Sequence, residues 1–166
     1  MQTIRLDKDE LLDLYNTDLD TLLELSSQFM SENIEFCSLV NARNGKCSQN
    51  CKYCAQSSHY RTDIETYPLI EPEKVAKAVK EAKEYGVNHF AVVTSGKTPE
   101  EESFDKIIEL IQEINKVEGI SSCASIGILN EETAKRLSDA GLKRFHHNIN
   151  TCKRSEERRV GKECRS

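Results

Sequence analysis

The chain has 166 residues, 31% of them charged, with a net charge of −5 and seven cysteines. No apolar run approaches the roughly 18 residues of a membrane helix and no secretory leader pattern is present, so the expected setting is the cytoplasm. There, seven cysteines argue for reduced thiols and metal rather than a disulfide framework, and the acidic balance without a basic stripe excludes nucleic acid as an expected partner.

Residues 8–32 read as two short helices, with Asp18 capping a pattern of Leu19, Leu22, Leu23, Leu25 and Phe29 at helical spacing. Such a stripe is a packing face, and residues 1–34 are expected to form a helical extension set against the bottom or side of a barrel. The apolar run at residues 36–40 is the first strand, and it leads straight into a loop at residues 45–56. The next helix has Pro72 in its first turn, Val75, Ala76, Val79 and Ala82 on one face and Gly86 as its stop. Residues 88–93 form the second strand. Pro99 opens a helix whose buried face is Phe104, Ile107, Ile108, Ile111 and Ile114, closed by Gly119. A short third strand lies within residues 120–128, Asn130 caps a helix through Leu137 that stops at Gly141, and residues 143–149 are the fourth strand.

About four strand–helix units with short loops predict an α/β fold with a parallel sheet and right-handed crossovers. This is the first part of a TIM-type (βα)8 barrel, over residues 35–153. A whole barrel takes roughly 250 residues, so half of one is expected here, inactive alone. From Arg154 the text RSEERRVGKECRS loses any apolar face and carries five basic residues against three acidic ones. It resembles the in-frame translation of a common sequencing adapter beginning AGATCGGAAGAG. Residues 154–166 are therefore set apart as a non-native tail, which leaves Cys164 without a role.

The chemistry is concentrated in GKCSQNCKYCAQ, where Cys47, Cys51 and Cys54 fall at C-x-x-x-C-x-x-C spacing. Three thiolates cap three irons of a cubane 4Fe-4S cluster and leave the fourth iron open for chemistry. A structural zinc site wants four ligands, and no second cysteine pair stands elsewhere. An electron-transfer ferredoxin wants a fourth cysteine in the same run, and Ala55, Gln56, Ser57 and Ser58 follow Cys54 instead.

This spacing, with Tyr53 at the aromatic position before the last cysteine, resembles the signature of the radical S-adenosylmethionine (SAM) enzymes. Over residues 1–153 the text NARNGKCSQNCKYCAQSSHY, then TSGKTP, then FHHNINT, is similar to the biotin synthases. That resemblance implies a SAM molecule chelated by the open iron, one-electron cleavage to a 5′-deoxyadenosyl radical, and sulfur insertion into dethiobiotin. It also implies a flavodoxin- or ferredoxin-type electron donor and a homodimeric full-length enzyme. Tyr53, Thr94, Ser95 and Gly96 are then expected near SAM, with Asn148 touching SAM and the dethiobiotin ring and Asn150 the ribose. The family pattern has Asp at position 150 and Asn at position 146, where this chain has Asn150 and His146. An amide still offers a ribose both a donor and an acceptor.

The family carries a second, auxiliary iron–sulfur cluster as sulfur donor. Cys123 matches one of its ligands, whereas the family's cysteine on the second strand is replaced by Ala91, and Cys37 on the first strand is expected to take its place. Cys152 is read as a bystander. Two alternatives stay open. One is a related radical SAM enzyme of hydrogenase-maturase or methylornithine-forming type; the other is a non-catalytic iron–sulfur module.

Overall fold

The computed structural model describes residues 6–30 and 34–148. Asn150, Cys152, Cys164 and the proposed tail lie outside them. The chain divides into two units, residues 1–34 and 35–166. In the first, helix α1 (Lys8–Asn16) begins with a capping box: Asp7 accepts from the Glu10 N–H at 2.9 Å, and Glu10 accepts from the Asp7 N–H at 2.7 Å. Helix α2 (Leu19–Ser27) starts where predicted, with Asp18 accepting from the Thr21 N–H at 3.0 Å. Neither helix has a buried residue, and Leu19, Leu23 and Phe29 are exposed.

The second unit alternates strand and helix: β1 (Cys37–Arg43), α3 (Pro72–Glu84), β2 (His89–Thr94), α4 (Glu101–Asn115), β3 (Ser121–Ser125), α5 (Glu131–Asp139) and β4 (Arg144–Phe145). The strands lie in the order β1-β2-β3-β4, every pair parallel. This is the predicted open succession of crossover units, consistent with part of a (βα)8 barrel.

Strand periodicity places alternate residues on opposite faces. One face of the sheet puts Val40, Ala42, Phe90 and Val92 against Val75, Val79 and Ala82 of α3 and Leu110 and Ile114 of α4. Further along the same layer, Ala124 and Ile126 join Phe104, Ile107, Ile111 and Leu137. The buried stripe of α4 is thus wider than expected. Leu110 is fully buried and Ile108 only half so, because this helix serves both clusters at once.

Two strand expectations are corrected. β1 runs on to Arg43, past the apolar run, through a register irregularity between Asn41 and Arg43 that turns its end toward the loop. β4 is only Arg144–Phe145, not residues 143–149. β3 ends at Ser125 and the backbone turns at Gly127 (φ +94°), so β4 loses its ladder partner after the His146 N–H bonds Ala124 O at 2.8 Å. Asn148 therefore follows the strand rather than alternating along it.

Candidate active site at the strand ends

β1 leaves the sheet through Gly45 (φ +73°) and Lys46 (φ +51°), two successive left-handed residues that swing the chain into the cysteine loop. Lys46 is strained there by roughly 1–2 kcal/mol, as a residue with a Cβ is in that region. The loop closes on itself. The Cys47 N–H bonds Gln56 O at 2.9 Å, the Ser58 N–H bonds Cys47 O at 2.8 Å, and the Cys54 N–H bonds Cys51 O at 3.0 Å. His59 Nε2 lies 3.2 Å from Ser48 O, and the Thr62 hydroxyl donates to Ala55 O at 2.7 Å. Nearly every tie is made by backbone or neutral side chains, and Cys47 and Cys54 are half-buried and form no disulfide.

A cleft of about 490 Å³ opens at the C-terminal ends of the strands, within the usual range of roughly 300–1,000 Å³ for small-ligand sites. One wall is Cys47, Cys51, Tyr53 and Cys54, the floor is Thr94, Ser95 and Gly96 after β2, and the far wall is Ser125, Gly127, His146 and Asn148. The structure thus gathers into one cavity every described residue predicted for the cubane cluster, for SAM and for the substrate. The three cysteines supply the soft, all-thiolate donor set that a site-differentiated cubane takes. Among the described residues no three His, Cys, Asp or Glu side chains converge for a single metal ion.

Arg43 and Gly127, which sequence reasoning missed, hold this cleft in shape. The Arg43 guanidinium donates from Nε and Nη2 to Ser95 O at 3.0 and 2.7 Å and pairs with Glu100 at 3.3 Å. The Ser95 N–H returns a bond to Arg43 O at 2.9 Å, and its hydroxyl donates to Gly45 O at 2.8 Å. Ser95 is buried and spends its donors tying the β2 end to the cysteine loop. Gly127 lets the chain after β3 touch the chain after β2, with the Ile128 N–H on Lys97 O at 2.7 Å; a Cβ there would sit 2.4 Å from that oxygen. An arginine closing a strand and a glycine after one carry no distinctive sequence signal.

Cys37 and Cys123 lie elsewhere, on the sheet face opposite the helices. Cys37 pairs with His89, while Ala91 pairs with Leu39 on one side and Cys123 on the other. Cys37, expected to take the place of a thiolate at Ala91, lies on the neighbouring strand one pleat from the Ala91 level, about 6.6 Å along the strand. The hydrophobic face sets this register, since Val40 must meet Val92 in the core. Cys123 is 1% exposed, and burial pushes its thiol pKa up; Arg144 pulls it down and the Cys37 charge pushes it up again.

Beside them, His89 is 6% exposed and its Nε2 is 2.9 Å from Glu35 Oε2, which also meets Arg144 at 3.5 Å. The hydrogen bond from His89, then its charge, holds the Glu35 carboxyl below its ordinary range, with Arg144 adding to the effect. His89 Nδ1 is buried without a hydrogen-bond partner among the described residues, a state that costs roughly 1–3 kcal/mol in a folded protein.

Comparison with known proteins bears on this cleft. A family model described as the Radical SAM superfamily matches residues 43–165. The chain is 44% identical over 130 residues to a biotin synthase of Acetivibrio thermocellus, covering 78% of this chain and 41% of that protein. It is 38% identical over 155 residues to a biotin synthase of Clostridium perfringens, covering 91% and 49%. The chain thus spans about half the length of the curated relatives it matches. Among solved structures it resembles HydG, a maturase of the [FeFe]-hydrogenase, with a TM-score of 0.70 at 19% identity over 94% of this chain and 37% of that one. That likeness speaks to the fold alone. The cysteine loop follows a parallel β1 and opens into a cleft at the strand ends, within the span the family model matches, and the chain accordingly belongs to the radical SAM superfamily.

Proposed function

We propose that this chain is part of a biotin synthase, which converts dethiobiotin to biotin by radical SAM-dependent sulfur insertion. The observation that carries the reading is the single cleft shared by Cys47, Cys51 and Cys54, the Thr94-Ser95-Gly96 turn, and His146 and Asn148. Similarity to the biotin synthases supports the choice of substrate.

In this reading Cys47, Cys51 and Cys54 would hold a 4Fe-4S cluster, which when bound would supply one-electron chemistry to SAM. The protein's own part is binding, orientation and exclusion of water. Gly96, with φ +131° and no side chain, lets a charged ligand approach the backbone closely. Thr94 flanks that approach with a hydroxyl, and Ser95 acts mainly as a strut between the loops. Tyr53 covers the cluster side, Asn148 and His146 face SAM and dethiobiotin from the far wall, and Asn150 takes the ribose. Cys37 and Cys123 are ligands of an auxiliary cluster. The electron donor is a flavodoxin or ferredoxin, the full-length enzyme is a cytoplasmic homodimer, and no nucleic acid takes part. No described helix is long and apolar enough to cross a membrane.

Anaerobic reconstitution tests the cluster: the chain should bind about four irons at the loop, and replacing Cys47, Cys51 or Cys54 by Ala should remove them. With SAM and dithionite the reconstituted protein should release 5′-deoxyadenosine. Iron retained in full by a cysteine variant, with an EPR signal that still responds to SAM, refutes the assignment. In the enzyme extended by the rest of its gene, dethiobiotin should be consumed; turnover of another substrate instead selects a related radical SAM activity.

A further inference from the structure

The cysteine loop has a second side. A further cleft of about 640 Å³ adjoins the one that gathers the site, and Cys47, Ser95, Gly96 and Lys97 line both. Arg43 lines it with its guanidinium already committed to Ser95 O and Glu100, and Lys46 and Lys97 stand exposed along it. A partner seated there meets the Cys47 side of the loop without filling the cleft proposed for SAM.

The charge of this stretch is opposite to that of the chain. Acidic residues outnumber basic ones by 28 to 23, yet between Glu35 and Asp63 the sequence carries Arg43, Lys46, Lys52 and Arg61 and no Asp or Glu. Lys46 and Lys52 belong to the loop, and Arg61 is brought beside it because Tyr60 bonds Asn50 and Thr62 bonds Ala55 O at 2.7 Å. Lys46, Lys52, Arg61 and Lys97 are exposed, and none pairs with a carboxylate among the described residues. Glu100, which lines the same cleft, is offset by Arg43 at 3.3 Å. Lys46 adds an independent sign: it is held at φ +51°, where asparagine or glycine would be less strained, and such strain is kept where the side chain serves a function. Cations that only balance the thiolates would be turned inward, whereas exposed ones act at a distance on a partner.

We infer that Lys46, Lys52, Arg61 and Lys97 form the docking surface for an acidic one-electron carrier protein of the flavodoxin class, seated over the cleft beside Cys47. This rests on the reading of the loop as the site of a cluster that takes up electrons. Interfaces between redox partners are small and transient, typically below about 1,200 Å², and complementary charge supplies their speed of association. Four unpaired cations around one loop suit that mode. On each encounter the carrier gives up one electron to the cluster of the loop, and no atom is exchanged.

The full 166-residue chain, reconstituted anaerobically with iron and sulfide, is titrated with an acidic flavodoxin carrying oxidised FMN. The dissociation constant is measured at ionic strengths of about 0.01 M and about 0.1 M, and the parent should bind more weakly at the higher one. Lys46→Glu combined with Lys52→Glu should weaken binding about tenfold or more at the lower one, because each reversal removes an attraction and adds a repulsion. Arg61→Glu and Lys97→Glu should each weaken it about threefold. Lys46→Arg combined with Lys52→Arg should keep the parent affinity, as should Lys80→Glu, an equal change of charge at an exposed position of α3. Lys46→Asn should resist urea at least as well as the parent and still bind more weakly, which separates lost charge from lost fold. In the double reversal, 5′-deoxyadenosine release driven by reduced flavodoxin should fall relative to release driven by dithionite, which needs no docking. A parent chain that takes up no iron overturns the reading of the loop and this inference with it. Iron uptake and dithionite-driven release, together with flavodoxin affinity that ignores ionic strength or falls as much in Lys80→Glu as in the double reversal, overturn the docking surface alone. So does tighter binding of a short single-stranded DNA than of flavodoxin.

Discussion

Replacing Arg43 by Ala should loosen the Thr94-Ser95-Gly96 side of the cleft without touching the three cysteines of the loop. Arg43 places two N–H donors on one carbonyl, Ser95 O, at 3.0 and 2.7 Å, and its side chain is only 19% exposed. A hydrogen bond from a charged donor contributes about 1.5–3 kcal/mol, and two sharing one acceptor act as a pair, so the loss is about 3 kcal/mol. The pairing with Glu100, whose side chain is 73% exposed, adds no more than about 0.5 kcal/mol. Ser95 keeps its bonds to Arg43 O and Gly45 O, so the loop is loosened rather than released. The variant should unfold about 3 kcal/mol more easily in urea. It should also bind SAM more weakly, since each 1.4 kcal/mol of loop ordering charged to binding is about tenfold in Kd. Arg43→Lys, which keeps one charged donor, should recover about half of the stability. Equilibrium denaturation and calorimetric titration of reconstituted protein measure both effects. A stability within about 0.5 kcal/mol of the parent with unchanged SAM affinity, or a lysine variant no better than alanine, would refute the clamp.

Gly127→Ala should cost at least about 2 kcal/mol, because its Cβ meets the Lys97 carbonyl oxygen at 2.4 Å and carbon at 2.7 Å. Gly86→Ala, with φ +77° but nothing within 4 Å, should cost only the roughly 1 kcal/mol of its backbone, and equal losses by denaturation would deny the loop contact. Glu35 has its pKa lowered by His89, so its stabilisation is fully present above the ordinary carboxylate value and is lost as pH falls through the lower folded one. Between about pH 6 and pH 3 the parent should therefore lose more stability than Glu35→Gln, and parallel acid limbs would contradict the pairing. In the metal-free chain, maleimide labelling followed by peptide mapping should modify exposed Cys37 well before Cys123, whose pKa burial raises; the reverse order would contradict the buried setting. Leu110→Ala should cost about 2–5 kcal/mol by thermal or chemical denaturation, as befits a fully buried side chain between the sheet and α3, and a loss below 1 kcal/mol would show that the two helices do not share that core.

Local chemistry was legible where one short segment holds all the information. The C-x-x-x-C-x-x-C loop implies its own donor set, Pro72 and Asn130 mark helix starts, and the apolar period of α4 gives most of its buried face. The alternation of strand and helix also carried the parallel order, because a strand–helix–strand unit can close in essentially one hand. Quantities that depend on two distant segments were not legible. The level of Cys37 relative to Ala91 comes from the register of β1 on β2, which Val40 and Val92 set from the opposite face. The early end of β4 follows from where β3 turns away at Gly127, and the roles of Arg43 and Gly127 follow from loops that lie about 50 and 30 residues away along the chain. Residue types and spacings by themselves thus determined the cysteine loop and the βα repeat, since these arise from nearest neighbours and helical or strand period. Only the tertiary structure decided that the cysteine loop, the Thr94-Ser95-Gly96 turn and His146 share one cleft, and that His89 stands buried across from Cys37, because those placements are set by sheet register and long-range packing.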